Sequence, residues 1–384
     1  KQPDGSKAAG VDPKSSEKKP GGFAGFSRQP VTDPVQRRKN YMMLGNPISE
    51  NPDAPKMGVG MGDAKNVDEG IEFIKKHAHD EAPFFLFLPL GNPHPPYAVI
   101  ESMYDMYDPA EVPMKDMKWL ENKPKLYETY RKFREAGDVE YEAFRKVNAI
   151  YLAMITYTDM LFGKVVDELK AQGIYDDTTI IVCSDHGDWA GDCGLVEKWP
   201  SALDDMLTRV PLIIRKPGGA EGHRVSTPTQ NIDIFPTVFD IEGLEIKHDQ
   251  FGVSLLPQLE GAVGDESRVV YSEGGYDTRE PHCFEGTPSY APLMIDGTQY
   301  YPKMAQQQQA PETVARSAMR RDNRYKFVYR STGEGELYDM QEDPHEYINL
   351  FDNPEYGSLK NELTAAMLRW FINTSDVVPH EGHE

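Results

Sequence analysis

The sequence predicts an α/β fold: a mostly parallel sheet sandwiched by helices, with a smaller C-terminal α+β subdomain of antiparallel sheet and helix. Three observations point there. Residues 84–90 (FFLFLPL) and 178–183 (TTIIVC) are apolar runs of the kind found in strands covered on both faces. Between them lie stretches whose apolar residues recur at three and four, as on amphipathic helices. Beyond residue 265, short strand-like runs and turns take over.

In order, residues 1–65 are rich in Lys, Pro, Gly and Ser without apolar periodicity, and read as an irregular segment leading into the core. Lys18-Lys19 and Arg37-Arg38-Lys39 are short basic clusters, better read as solvated loop than as a binding arm. Val67, Ile71 and Ile74 mark a helix, followed by the run at 84–90 and a loop, Gly91-Asn92-Pro93-His94-Pro95-Pro96-Tyr97, at that strand's end. Residues 101–140 form a long excursion without clear periodicity, of the kind that shapes a substrate cleft. Val147, Ile150, Met154, Leu161 and Val165 lie on one face of a long helix that Gly173 closes.

The strand at 178–183 runs into Ser184-Asp185-His186-Gly187, and a further strand is expected at 210–214. The segment NIDIFPTVFDIEG reads as a helix with Asp233 as cap, Pro236 early and Gly243 at its end. RVVYSEG, YKFVYR and ELYDM read as antiparallel strands, and Leu359, Leu363, Met367, Trp370 and Phe371 as one face of a last helix. The expected units are residues 1–65, an α/β domain at 66–265 and the α+β subdomain at 266–384.

The 384 residues carry 41 basic and 62 acidic side chains, a net charge of −21. That balance argues against a nucleic-acid partner, whose phosphates call for clustered Lys and Arg. No uninterrupted apolar run approaches the roughly 20 residues of a bilayer-crossing helix, so no membrane span is expected. Cys183, Cys193 and Cys283 make neither a disulfide framework nor a zinc spacing. The chain opens on Lys1 with no apolar signal segment, as a processed chain or a fragment would.

Chemistry concentrates at two strand ends, where ligands of open α/β sheets gather. Asp185 and His186 place a carboxylate and an imidazole side by side where both reach one cation, although a capping Asp beside a surface His fits the same spacing. Lys198, after Gly191 and Gly194, brings an ammonium that suits an anionic ester. His94 sits among Pro93, Pro95 and Pro96, which stiffen the backbone around an imidazole suited to proton transfer.

Taken in order, PFFLFLPLGNPHPPY, TYTDMLFGKVVDELKAQGIYDDTTIIVCSDHG, the GxxGxxxK spacing ending at Lys198, TRVPLIIRKPG, NIDIFPTVFDIEG and ELYDMQEDPHEYINL resemble the sulfatase family of the alkaline-phosphatase superfamily. The resemblance runs from about residue 66 to 370. It implies a metal-dependent sulfuric-ester hydrolase with one divalent ion, calcium first and magnesium or manganese as alternatives, held by Asp185 and His186. It further implies that Lys198 contacts the sulfate and that His94 faces the ester oxygen as general acid.

The family's nucleophile is a formylglycine made within a C/S-x-P-S/A-x-R signature. Cys183, Cys193, Cys283 and Ser27 all lack that context, so the chain resembles the C-terminal three quarters of a sulfatase. The nucleophile is then expected in a missing N-terminal segment or companion chain, and the chain alone is expected to be inactive. Cys193 stands where many relatives have His, a change expected at the pocket wall. GGYDTREPHCFEG, with His282, is expected to line the cleft and bind substrate together with residues 101–141.

A sulfated saccharide is the first substrate expected, with aryl or choline sulfate as alternatives, and the family's habits imply a secreted, periplasmic or lysosomal location. A phosphomonoester, phosphodiester or phosphonate hydrolase of the same superfamily, or a non-catalytic binding protein on the same scaffold, are the competing readings. Asn373-Thr374-Ser375 is a glycosylation sequon, a triplet common by chance.

Overall fold

A computed structural model describes residues 29–51, 62–285 and 294–375. The Lys18-Lys19 cluster and Ser27 lie outside them. Within the stretch read as irregular, Pro34–Tyr41 is a helix, α1. Its signal was local: the Asp33 carboxylate accepts the Gln36 N–H at 2.7 Å, and Pro34 opens the first turn.

Helix α2, Asp63–His77, buries Val67, Gly70 and Ile74. Residues 84–90 follow as extended backbone, not as the expected strand. Leu86 and Leu88 face Gly70 of α2, while Phe85 and Phe87 stand 81% and 75% exposed. Apolar alternation selects an extended chain, but a ladder also needs a neighbour, and no named strand pairs with this segment among the described residues.

The excursion at 101–140 contributes α3, Lys125–Phe133, and much of the core. Trp119, Leu126, Tyr127 and Tyr130 cluster with Trp189, Cys193, Leu195 and Trp199. Its long stretch without periodicity is thus largely a packing layer. Helix α4, Tyr141–Ala171, is long and apolar enough to cross a membrane by length and composition, which a count of uninterrupted apolar residues overlooked. Here Phe144, Val147, Ile150 and Met154 pack with Met43, Tyr97 and Val99, and Asn148 Nδ2 donates to the Ala190 carbonyl at 3.1 Å.

After α4 comes β1, Ile180–Cys183; then α5, Asp205–Thr208, leads into β2, Leu212–Arg215. The two strands pair antiparallel, Ile181 opposite Ile214 and Cys183 opposite Leu212, whereas a parallel sheet was expected. Parallel strands need a long crossover, usually a helix packed across the sheet. The chain between β1 and β2 is spent on the site loop and the short α5, so it returns in the opposite sense. Among the described residues, parallel order is confined to isolated bridges such as Leu44–Tyr97 and Ile48–Ile100.

Helix α6, Ile234–Glu242, stops at Gly243, whose φ of 63° a side chain would strain. Asp233 does not cap it as expected. Its buried carboxylate turns back to the Gln230 and Val253 N–H groups, both at 2.8 Å, and to Arg268 at 2.6 Å. After α7, Leu256–Leu259, a four-stranded antiparallel sheet forms in the order β3-β4-β5-β6. Its strands are β3 Val270–Gly274, then, after α8 (Tyr301–Gln309), β4 Ser317–Arg321, β5 Tyr325–Arg330 and β6 Gly335–Asp339. The sequence SAMRR of β4 has no β-branched residue and gave no strand signal. Helix α9, Gly357–Thr374, adds Leu363 and Met367 to a core with Phe327, Leu337 and Phe351, and Trp370 stacks on Tyr271 at 4.2 Å.

Buried charges brace this sheet. Burial alone would raise the Glu336 carboxyl, but Arg330 at 2.6 Å and Lys123 at 3.8 Å bring it down to about 2. Because the folded value lies below the ordinary 4.5, this stabilisation is present above pH 4.5 and is lost as the pH falls toward 2. Thermal melts between pH 5 and pH 2.5, set about that window, should therefore fall more steeply for the wild type than for Glu336→Gln. Parallel profiles would show that Glu336 does not supply the linkage.

Candidate functional site

Two loops and helix α8 meet around His94 and Lys198. The first is fixed by Asp63, buried at the start of α2. Its carboxylate accepts the Gly91 and Asn92 N–H groups, each at 2.8 Å, and Asn92 Nδ2 at 2.9 Å. The His94 N–H then closes a turn onto the Gly91 carbonyl at 2.9 Å, with Pro93, Pro95 and Pro96 limiting the backbone on either side. The imidazole contacts the Pro95 carbonyl through Nδ1 at 2.6 Å and Lys198 Nζ through Nε2 at 2.5 Å.

These two contacts assign the tautomer. A carbonyl can only accept and an ammonium can only donate. Nδ1 therefore carries hydrogen, Nε2 is bare, and the hydrogen between the two side chains is on Lys198. Burial, reinforced by the Lys198 charge, holds His94 below its ordinary value. Burial likewise lowers Lys198, with Glu197 opposing the shift. Both groups are thus held below their ordinary proton affinities, with one hydrogen between them.

Behind Lys198 lies Glu197, fully buried. Its Oε2 meets Arg134 at 2.6 Å, and its Oε1 meets Lys303 of α8 at 3.0 Å and Lys198 at 3.9 Å. Burial would raise this carboxyl, but Lys303, Arg134 and Lys198 bring it down to about 2. The Glu197 N–H donates to the Tyr97 hydroxyl at 2.7 Å, which donates to Asp188 at 2.6 Å. Tyr97 so ties the His94 loop to the loops of Lys198 and Asp188. Burial pushes the Asp188 carboxyl up to about 6 despite its hydrogen bonds from Tyr97 and Ala190.

Asp185 and His186 project from the loop after β1. Gly187 sits where a Cβ would lie 2.0 Å from the Met206 carbonyl, so only glycine permits the reversal. His186 Nδ1 bonds the Gly187 carbonyl at 2.8 Å, leaving Nε2 as an acceptor 3.6 Å from Asp185 Oδ2. A carbonyl that fixes the imidazole tautomer is the usual support of a metal-binding His. Imidazole nitrogen and carboxylate oxygen this close can share one divalent ion. The donor set therefore fits a metal.

The remaining expected residue, His282, is exposed on a short turn with Glu280 and Cys283, their ligand atoms within 4.8 Å of one another. No described hydrogen bond or ion pair joins it to His94 or Lys198. Cys193 lies fully buried among the aromatic residues of the core instead of on a pocket wall, and burial pushes its thiol up. A groove of about 510 Å³ opens elsewhere, between the C-terminal sheet and α9, lined by Arg316, Tyr329, Met367 and Phe371 and by none of these site residues. Sequence reasoning missed Asp63, Glu197 and Lys303. Asp63 alone carried a signal, as an acidic residue opening a helix.

Residues 9–244 match the sulfatase family model, and residues 297–371 match that of the N-sulphoglucosamine sulphohydrolase C-terminal region. The choline-sulfatase of Rhizobium meliloti (strain 1021) is 30% identical over 305 residues, covering 76% of this chain and 51% of the relative. Arylsulfatase K of Xenopus laevis is 27% identical, covering 75% and 52%. The chain spans about half the length of these curated relatives. Among solved structures, the phosphonate monoester hydrolase from Silicibacter pomeroyi superposes with a TM-score of 0.66 at 26% identity, over 92% of this chain and 67% of that one.

Proposed function

Since the chain belongs to the sulfatase family, we propose that it forms the acid and anion-binding part of a metal-dependent sulfuric-ester hydrolase. The observation that carries this reading is the Lys198–His94 contact at 2.5 Å, a proton and a positive charge placed together. Lys198 neutralises sulfate oxygens as the ester S–O bond breaks. The bond's electron pair passes to the alcohol oxygen, which is protonated through His94; the proton comes from Lys198, which is left as the neutral amine and regains a proton from solvent. Asp185 and His186 would hold the ion, calcium by preference, which supplies further neutralisation of the sulfate. The exposure of both side chains leaves room for the additional oxygen ligands that a hard cation takes.

The attacking group is proposed to be a formylglycine in polypeptide outside residues 1–384, as a preceding segment or a companion chain. The absence of its signature from the sequence supports this, as do Phe85, Phe87 and Ile213, whose exposed apolar faces further sheet would cover. For the alcohol we propose a saccharide, supported by the match of residues 297–371 to a sulphoglucosamine sulphohydrolase region. An exported location accompanies that reading.

A second reading, phosphonate or phosphate ester hydrolysis, is favoured by the superposition on a phosphonate monoester hydrolase. Incubating the full-length protein with a sulfated glucosamine, choline sulfate, an aryl sulfate and a phenyl phosphonate, with calcium and after chelation, decides between them. Sulfate release that needs the metal and falls in His94→Ala is the expected result. Phosphonate turnover exceeding sulfate turnover selects the second reading. No turnover of any ester would overturn both in favour of a binding protein.

A further inference from the structure

We infer that Lys303 and Glu197 are positioning residues for the Lys198–His94 pair: Lys303 occupies the Glu197 carboxylate so that the Lys198 ammonium stays on His94. The inference rests on the proposed role of that pair in ester cleavage, but its consequences can be read without turnover.

The geometry is a competition for one oxygen. Glu197 Oε1 lies 3.0 Å from Lys303 Nζ and 3.9 Å from Lys198 Nζ, while Oε2 is taken by Arg134 at 2.6 Å. Glu197 is fully buried, and the Lys303 and Arg134 side chains are 7% and 3% exposed, so solvent cannot substitute for a lost partner. Lys303 is itself held in place by Glu285 at 3.3 Å on its other side. Removing the Lys303 charge would leave Oε1 with Lys198 as its nearest cation. A desolvated carboxylate oxygen draws in whatever donor can reach it. The Lys198 ammonium would then leave His94 Nε2 for Glu197.

Arg134 alone could neutralise Glu197. The second cation therefore acts on where Lys198 points. It also carries a structural consequence, since Lys303 comes from α8, more than one hundred residues along the chain from Glu197. The C-terminal region thereby reaches the acid without touching the ester. The charged groups facing His94 are Lys198, Glu197 and Lys303, with the Pro95 carbonyl on Nδ1. Those facing Lys198 are Glu197, Lys303, Asp188 and Glu285.

The test is the NMR titration of the His94 ring, assigned by its disappearance in His94→Ala. In Lys303→Met both the lost positive charge and the departing ammonium favour protonation. The midpoint should rise by about one pH unit, a tenfold gain in proton affinity. Lys303→Arg, which keeps a cation there, should restore the wild-type midpoint. An unmoved midpoint in folded Lys303→Met would overturn the inference, because the lost charge and the departing ammonium both act in the same direction on that titration. If Lys303→Met does not fold, Glu197→Gln/Lys303→Met removes both charges. The ammonium then has no carboxylate to follow, and a wild-type midpoint is expected; a raised one overturns the proposal. A shift in Lys303→Met together with no ester turnover in the wild type would refute the proposed function and leave this inference standing.

Discussion

Lys198→Ala is expected to lower kcat on a sulfate ester by about 10²–10³, the usual cost of removing one preorganised group from developing oxyanion charge. The structure adds a second loss to the first. The Lys198 ammonium is the donor to His94 Nε2, so the variant removes both the cation over the sulfate and the resting place of the transferable proton. The two contributions separate by leaving group. A nitrophenolate leaves without protonation, so on nitrophenyl sulfate His94→Ala should be nearly neutral while Lys198→Ala remains slow. On an alkyl or saccharide sulfate, whose alkoxide needs the proton, both variants should be slow, and their combination should cost less than the product of the single losses because they act as a unit. Steady-state kinetics on the two ester classes, with KM followed beside kcat, checks this. Equal losses in His94→Ala on both leaving groups would remove the imidazole from proton delivery.

Which parts of this were legible in the sequence follows from where the relevant forces act. Periodicity located α4 and α9 because one helix face buries Val147, Ile150 and Met154, or Leu363 and Met367, and that face repeats along the chain. β1 was equally local, its β-branched apolar run being enough to mark a strand. Direction was not local: β1 and β2 run antiparallel because of the path taken between them, which no property of IIVC or LIIR encodes. Residues 84–90 have a strand's composition, yet pairing depends on what lies beside them.

The site divides along the same line. His94, Asp185, His186 and Lys198 stood out because stiff or glycine-rich loops hold chemically capable side chains. Glu197 looked like one more acidic residue of an acidic chain. Its importance comes from Arg134 and Lys303, 63 and 106 residues away, and from the burial of all three. Buried charge networks of this kind have no sequence signature, because each partner alone is indistinguishable from a surface residue.

Lys326→Met should be among the most damaging changes to stability, costing about 3–5 kcal/mol, the range for breaking a buried ion pair from one side. Lys326 is fully buried in β5, with Nζ 2.9 Å from Asp205 Oδ1 and 2.6 Å from Glu346 Oε1. Asp205 begins α5, and its N–H is accepted by Glu346 Oε2 at 3.0 Å, so one ammonium joins the C-terminal sheet to the chain that returns from the site loop. Asp205 would keep Arg321 at 2.5 Å, whereas Glu346, also fully buried, would have no cation as close. At a few degrees per kcal/mol for a chain of this size, the melting temperature should drop by roughly 10 °C. One control follows from the electrostatics. Lys326→Met/Glu346→Gln removes the orphaned charge with its partner and should recover part of the loss. A deficit below about 1 kcal/mol, the size of a surface pair, would mean that water or a rearranged side chain replaces the ammonium and that the sheet is held to α5 by packing alone.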